Sequence, residues 1–235
     1  MSLLKLLKKF LFIQNFTASF VANISPYLEF TLGKYSAIKK SMYITAHDKT
    51  KGSYIEFGVF TGSSFNFAMK VNKKLNKLLG DNDCNFVGFD SFQGFGNVTQ
   101  SDKHPRFKDD IFSVDEKKIL KNIKKNSGNQ KYEIVKGFFD ETLKKEPQEY
   151  GIEKARVVLI DCDLKDSTLL ALNFLKNTLQ IGTIIMFDDF IFYKGDELKG
   201  EYAAFEEFQK ENQRIKFRHA FDYGYGSKAF IVSKI

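Results

Sequence analysis

The sequence predicts an α/β protein with a doubly wound, mostly parallel sheet. Short runs rich in β-branched and aromatic residues alternate with longer segments whose apolar residues recur at helical spacing. Five of these strand–helix units follow one another, and strands joined by helices pair in parallel with helices on both faces. Two further strand-like runs flank a turn at residues 222–227 and indicate a closing antiparallel hairpin. A chain of 235 residues with 43% hydrophobic residues is long enough to bury the core of one such domain.

Each predicted element has a local signal. A strand is predicted where a short apolar run ends in glycine or a charged residue, and a helix where an apolar stripe recurs every three to four residues. The sequence Ser113-x-x-Glu116 reads as a capping box that begins one helix. Asp166 or Ser167 caps the next helix, which Gly182 ends. The strands are predicted at 54–57, 86–89, 132–136, 157–160, 183–187, 216–221 and 229–232, and the other helices at 63–79 and 201–211.

Residues 1–49 are predicted to form a helical extension, followed by a single domain over residues 50–235. Leu6, Phe10, Ile13 and Phe20 fall near helical spacing. We therefore expect an amphipathic helix that covers the active site or forms the dimer contact of a homo-oligomer. Peripheral attachment to a membrane surface through this helix is the alternative. No segment of the sequence is long and apolar enough to span a bilayer.

The charge and the cysteine content exclude several classes of protein. There are 36 basic and 29 acidic residues, and the net charge of +7 is compatible with an anionic substrate. Basic and aromatic residues are not interleaved as binding of single-stranded nucleic acid requires, so no nucleic-acid partner is predicted. Cys84 and Cys162 lack the C-x-x-C spacing of redox and zinc sites, which favours a cytoplasmic protein without a disulfide framework.

A glycine-containing turn follows the first predicted strand and begins the next helix. It reads Glu56-Phe-Gly-Val-Phe-Thr-Gly-Ser-Ser64. Glycines let the backbone approach a ligand closely, and the N-terminus of a helix presents free N–H groups to a carboxylate. Asp90, at the end of the second strand, can accept hydrogen bonds from both ribose hydroxyls of a nucleoside. The alternative is a structural turn and a solvated aspartate that ends a strand.

Paired acids follow the fourth and the fifth predicted strands. Asp161 and Asp163 come after the fourth, and Asp188 and Asp189 come after the fifth. If the two strands are adjacent, four carboxylates converge at one edge of the sheet, where their mutual repulsion calls for a cation. Mg²⁺ is the expected ion because it prefers oxygen ligands. The alternative is that these aspartates are helix caps and turn residues.

Five segments, in this order, resemble the metal-dependent sugar O-methyltransferases of the macrocin and mycinamicin type (TylF/MycF-like). The resemblance runs from residue 34 to residue 190 and implies a class I methyltransferase, Rossmann-like fold with an antiparallel hairpin. It further implies S-adenosylmethionine and a divalent cation, Mg²⁺ or another, as cofactors and a sugar or glycan precursor as the acceptor. The segments are E-F-G-V-F-T-G-S-S, F-D-S-F-Q-G-F, V-K-G-F-F-D-E-T-L, I-D-C-D-L-K-D-S-T and M-F-D-D-F.

The resemblance implies a role for each matching residue. The turn after the first strand would hold the methionine part of the cofactor, Asp90 the ribose, and the turn after the third strand the adenine. The cofactor-binding residues implied are Glu56, Gly58, Thr61, Gly62, Ser63, Ser64, Asp90, Ser91, Gly137, Phe138 and Asp140. The metal ligands implied are Asp161, Asp188 and Asp189, and the general base implied is Asp163.

Two positions depart from the family pattern, and both flank the acceptor site. Lys165 stands where the family usually has tyrosine, and Phe95-Gly96 stands where it usually has Leu-Pro. The identity of the acceptor is therefore not predicted. Nearby carboxylates raise the pKa of a lysine, so we expect Lys165 to stay charged and to contact an anionic part of the acceptor.

Two other functions are compatible with parts of the pattern. A nucleotide-dependent oxidoreductase on a Rossmann sheet would need G-x-G-x-x-G after the first strand, which Glu56 to Gly62 do not supply. An inactive methyltransferase-like interaction protein would have no use for the four aspartates after the fourth and fifth strands. Both alternatives are therefore less favoured than an active methyltransferase.

Overall fold

The fold is a seven-stranded sheet with the strand order β3-β2-β1-β4-β5-β7-β6. The computed structural model describes residues 3–80, 84–96, 98, 102–104 and 113–235. β1 to β5 are parallel, and β7 pairs antiparallel with both β5 and β6. The predicted doubly wound sheet and its C-terminal hairpin are confirmed. The strands are β1 (Ser53–Phe57), β2 (Phe86–Asp90), β3 (Tyr132–Lys136), β4 (Ala155–Ile160), β5 (Ile184–Phe187), β6 (Lys216–Tyr223) and β7 (Ser227–Lys234).

Helices connect the parallel strands and cover both faces of the sheet. Alternate residues of β4 enter different cores, since Val158 and Ile160 pack with α6 and α7 while Val157 and Leu159 pack with α2 and α3. All residues of β4 are buried, as expected for a parallel strand between two helical layers. The helices are α1 (Leu3–Ala22), α2 (Pro26–His47), α3 (Ser63–Leu79), α4 (Glu116–Ser127), α5 (Phe139–Thr142), α6 (Lys165–Leu175) and α7 (Gly200–Glu211).

Two predicted helix starts differ from the structure. The predicted capping box at Ser113 is wrong, because the N-cap of α4 is Asp115, whose side chain accepts a hydrogen bond from the Lys118 N–H at 3.3 Å. Ser113 instead forms an isolated β-bridge with Gln93. Helix α6 begins at Lys165, so neither Asp166 nor Ser167 is its N-cap residue.

Helix α1 carries a broad apolar surface. The four consecutive residues Phe10 to Ile13 are all exposed, so this surface extends around more of the helix than the predicted stripe. The side chain of Leu6 lies outside the described part of the chain. Among the described helices, none has the length and apolar character needed to cross a membrane. The roles of lid, dimer contact or membrane-surface contact stay predictions.

Helix α2 runs antiparallel to β4. Near the start of β4, the buried guanidinium of Arg156 donates to the Thr45 hydroxyl at 2.9 Å and to the Met42 carbonyl at 3.2 Å. These bonds hold the C-terminal end of α2 against the amino end of the strand. The N-terminal half of α2, which includes Lys34, therefore reaches the carboxyl edge of the sheet.

Candidate active site

A cleft of about 530 Å³ lies at the carboxyl edge of the sheet, where open α/β sheets bind their ligands. It is bounded by the segments that follow β1, β2, β3 and β4 and by the first turns of α5 and α6. Six predicted cofactor-binding residues line it, and so does the predicted base. These seven residues are Gly58, Asp90, Ser91, Gly137, Phe138, Asp140 and Asp163.

The turn after β1 brings the ends of β1 and β4 close together. Gly58 has a φ of +91°, and a Cβ atom there would lie 1.9 Å from the Asp161 carbonyl oxygen. Only glycine allows this approach. Phe60, with a φ of +47°, lines the cleft although it was not among the predicted residues. Gly62 faces away from the cleft, because a Cβ atom there would lie 3.2 Å from Ile123 of α4.

Glu56 lies beneath this turn and is fully buried. Its carboxylate accepts hydrogen bonds from the Tyr54 hydroxyl and the Ser64 hydroxyl, both at 2.6 Å. Burial raises the pKa of Glu56 to about 8. Glu56 and Ser64 therefore join β1 to the first turn of α3 from below, while Thr61 and Ser63 are exposed on its outer side. The cleft lining therefore does not include five of the predicted cofactor-binding residues, namely Glu56, Thr61, Gly62, Ser63 and Ser64.

The Asp90 carboxylate is fixed at the end of β2 by two backbone groups. One oxygen accepts from the Phe60 N–H at 2.7 Å, and the other accepts from the Phe92 N–H at 2.6 Å. Burial raises the pKa of Asp90, and these backbone hydrogen bonds oppose the rise. Each carboxylate oxygen can accept more than one hydrogen bond, so the oriented side chain can also bind hydroxyl groups in the cleft.

The predicted convergence of the aspartates is present in the structure. β4 pairs with β5, and the Asp188 N–H donates to the Ile160 carbonyl at 3.0 Å, which places Asp161 and Asp188 side by side. One carboxylate oxygen from each of Asp161, Asp188 and Asp189 lies within 4.8 Å of the others. Burial and neighbouring carboxylates raise the pKa of both Asp188 and Asp189 well above the ordinary value. The raised pKa values show that so many negative charges are unfavourable in this buried acid cluster unless positive charge lies close by.

Asp163 lies beside the acid cluster in a left-handed backbone conformation, with a φ of +61°. The Asp163 and Asp189 carboxyl groups share a side-chain hydrogen bond. Burial raises the pKa of Asp163 to about 8, although this hydrogen bond lowers it. Asp163 is thus a buried group whose gain and loss of a proton occur at a pH close to neutrality.

Sequence reasoning missed two charged residues at this edge. Glu201, at the start of α7, is fully buried and accepts from the Asp189 N–H at 2.9 Å. The Lys34 ammonium lies 2.7 Å from an oxygen of Asp161 and 2.5 Å from an oxygen of Asp188. Burial lowers the pKa of Lys34, but these two carboxylates raise it well above the ordinary value. A separation of 127 residues between Lys34 and Asp161 leaves no local sequence signal for this contact.

Lys165 does not face the cleft. Its ammonium lies 2.8 Å from a carboxylate oxygen of Glu207 on α7, and this hydrogen bond raises the pKa of Lys165. Lys165 is therefore charged, as predicted, but its side chain joins α6 to α7. The next two residues, Asp166 and Ser167, line the cleft instead.

Helix α6 is capped by a distant residue rather than a local one. The buried Asp102 carboxylate accepts from the backbone N–H groups of Lys165 at 3.0 Å and Asp166 at 3.4 Å. The Tyr193 hydroxyl donates to the Asp102 carbonyl at 3.0 Å. Since α6 directly follows the segment that contains Asp163, these bonds position that segment.

Replacing Asp102 with alanine should destabilise the protein by about 1–2 kcal/mol, the usual cost of losing an N-cap acceptor. It should also lower kcat, because the segment before α6 would no longer be held in place. Thermal unfolding and single-turnover kinetics would measure both effects. Asp115→Ala is the matched control, since it removes the N-cap of α4; it should lower thermal stability without lowering kcat. Equal kcat losses in both variants would contradict a positioning role for Asp102.

Comparison with known proteins agrees with this geometry. A sequence profile of the family described as Macrocin-O-methyltransferase (TylF) matches residues 33–219. None of the curated protein sequences compared gives a significant match. The profile match gives no support to the alternative of a nucleotide-dependent oxidoreductase.

Several solved structures have a similar fold. The O-methyltransferase NovP superposes with a TM-score of 0.70 at 17% identity, covering 86% of this chain and 80% of that chain. CalS11, a calicheamicin methyltransferase also described as a TDP-rhamnose 3'-O-methyltransferase, has a TM-score of 0.63 at 19% identity, covering 92% and 85%. An O-methyltransferase from Bacillus cereus in complex with SAH has a TM-score of 0.54 at 14% identity, covering 85% and 81%.

At these identities the structural likenesses show the fold, which is the class I methyltransferase fold implied by the sequence resemblance. The family is shown by the sequence profile, because it spans more than half of the chain. The resemblance stated from the five segments is thus confirmed, and the chain belongs to the macrocin O-methyltransferase (TylF) family.

Proposed function

We propose that this chain transfers the methyl group of S-adenosylmethionine to a hydroxyl of a sugar or glycan precursor, with the help of a divalent cation. The observation that carries the proposal is the position of Asp163, which lies both in the lining of the cleft and beside the acid cluster. Family membership supports O-methyl transfer. The description of CalS11 as a TDP-rhamnose 3'-O-methyltransferase supports a sugar acceptor.

The cleft suits the cofactor in shape and in polar groups. Asp90 offers two oriented carboxylate oxygens for the ribose hydroxyls, and Phe138 adds an aromatic side chain to the lining of the same cleft. Gly58 keeps the turn after β1 close to the strand ends, so a ligand can lie against the backbone. When bound, S-adenosylmethionine supplies the reactive methyl group, and the protein supplies alignment and charge.

The acid cluster suits a hard divalent cation such as Mg²⁺. Three carboxylates offer oxygens within 4.8 Å of one another. Among the described residues, one oxygen of Asp188 is buried with no hydrogen-bond partner, which marks an acceptor that a cation would satisfy. Asp161, Asp188 and Asp189 would hold the ion. When bound, it would lower the pKa of an acceptor hydroxyl.

Asp163 is the residue that we assign as general base. A sugar hydroxyl is a poor nucleophile near neutral pH, so a group within hydrogen-bonding reach must take its proton. Asp163 is buried, is oriented by Asp189 and lines the cleft that would hold the cofactor. Its carboxylate can therefore accept the proton of an acceptor hydroxyl bound in the cleft.

Calorimetry and product analysis would test the proposed function. The protein should bind S-adenosylmethionine and not NADH. With a panel of nucleotide sugars and glycan fragments, mass spectrometry should detect a product heavier by about 14 Da, one CH₂ group. Chelation should abolish this product, leave cofactor binding intact and be reversed by Mg²⁺. Binding of NADH alone would overturn the methyltransferase assignment, and full turnover after exhaustive chelation would overturn the role of the cation.

A further inference from the structure

We propose that Lys34 and the divalent cation compete for the same carboxylate oxygens, so that metal binding displaces Lys34 and frees the N-terminal half of α2. The inference rests on the proposed function in one respect, namely that a cation binds Asp161, Asp188 and Asp189. It adds that a helix of the N-terminal extension responds directly to this ion.

The contacts of Lys34 place a positive charge at the proposed metal site. Its ammonium approaches one oxygen of Asp161 at 2.7 Å and one oxygen of Asp188 at 2.5 Å. Mg²⁺ binds carboxylate oxygens at about 2.1 Å, so an ion on the same oxygens would lie within about 5 Å of the ammonium. Two cations at this distance repel each other strongly in a partly buried site.

The burial of the ion pair makes the competition effective. The side chain of Lys34 is 16% exposed, and that of Asp188 is 1% exposed. Water therefore screens the repulsion between the two cations poorly. The ion binds more oxygens than Lys34 does, because Asp189 and the unpartnered oxygen of Asp188 are also available to it. When it is present, the ion is thus expected to displace the Lys34 ammonium from these carboxylate oxygens.

Apart from Lys34, the N-terminal half of α2 is held by contacts near the surface: the Tyr35 ring stacks on Phe67 of α3 with centroids 4.5 Å apart, and Gly33 packs against Gly224. The buried residues of α2 begin at Ala37, so residues 26–36 are exposed or only partly buried. This half touches the β6–β7 turn, where the Tyr225 hydroxyl donates to Glu29 at 2.5 Å. The C-terminal half is held by Arg156. Loss of the Lys34 ion pairs should therefore loosen residues 26–36 and leave the rest of α2 in place.

Linkage makes the effect reciprocal. If the ion weakens the contact of Lys34 with the carboxylates, that contact must weaken ion binding by the same factor. A charge within this distance typically changes the binding of another charge by one to three powers of ten. Lys34→Met should therefore bind the metal roughly tenfold or more tightly than the wild type.

The test is Mn²⁺ binding to the metal-free, full-length protein, measured by electron paramagnetic resonance without cofactor or acceptor. Lys34→Met should bind Mn²⁺ roughly tenfold or more tightly, and Lys34→Gln should behave alike. Lys39→Met is the matched control, because Lys39 is an exposed lysine on the same helix; its affinity should equal that of the wild type. Unchanged or weaker binding by Lys34→Met would overturn the proposal.

Hydrogen exchange of the wild-type protein provides a second arm that needs no variant. Added Mn²⁺ should speed amide exchange in residues 26–36, and it should not speed exchange around Met42 and Thr45. Bound Mn²⁺ without this change would overturn the displacement of Lys34, whatever the variants do. Failure of the metal-dependent function gives a different result, because protein whose metal has been removed by a chelator would then retain full turnover. If Mn²⁺ does not bind at all, the competition is overturned as well.

Discussion

Asp163→Asn should lower kcat by a factor of roughly 10²–10⁴, the usual contribution of a general base. Asparagine keeps the shape of the side chain but cannot take up the proton of the acceptor hydroxyl. Metal content and affinity for S-adenosylmethionine should stay close to wild type, because Asp163 is not among the three carboxylates that would hold the ion. Steady-state kinetics, metal analysis and calorimetry of one preparation would measure all three quantities.

Lys165→Met is the comparison that tests this assignment. A neutral lysine could serve as an alternative base, but Lys165 is paired with Glu207 and directed toward α7. Its replacement should change kcat far less than Asp163→Asn does. A near-normal kcat for Asp163→Asn together with a collapsed kcat for Lys165→Met would transfer the role of base to the lysine.

Asp90→Ala should weaken binding of S-adenosylmethionine by about tenfold or more. The substitution removes the proposed charge-assisted hydrogen bonds to the ribose, each worth about 1.5–3 kcal/mol before compensation. It also leaves the N–H groups of Phe60 and Phe92 without their acceptor, so the turns after β1 and β2 lose their fixed positions. Calorimetric titration would give the affinity, and circular dichroism would confirm that the variant is folded.

Asp90→Asn is the graded control for this prediction. Asparagine retains one acceptor oxygen and the shape of the side chain, so its affinity for the cofactor should lie between those of wild type and Asp90→Ala. If folded Asp90→Ala protein binds the cofactor as tightly as wild type does, the ribose site must lie elsewhere.

Local periodicity was sufficient to predict most of the fold. α3 and β3 begin and end at the predicted residues, because an uninterrupted apolar stripe defines the helix and glycine follows the strand. The same reasoning brought Asp161 and Asp188 together, since it needed only the adjacency of two buried parallel strands. Features that depend on neighbouring residues or on strand order could thus be predicted from the sequence.

Contacts between segments that are distant in the chain could not be predicted from the sequence. Asp102 caps α6 from more than 60 residues away, and it takes the place of the local cap that was predicted at Asp166 or Ser167. Lys34 reaches the acid cluster only because α2 runs antiparallel to β4. Neither contact produces a periodic pattern in the sequence, because each depends on how whole helices and strands pack against one another and not on neighbouring residues in the chain.

The left-handed backbone at Asp163 and Phe60, which both line the cleft, sets a trade-off between stability and activity at the carboxyl edge. Each such conformation costs a residue with a side chain about 1–2 kcal/mol relative to its relaxed geometry, and glycine would avoid most of that cost. Selection for stability alone would therefore favour glycine at these positions. A thermostabilised version of this enzyme should accordingly gain its stability in the two buried cores, because gains at these two positions would remove side chains that line the cleft.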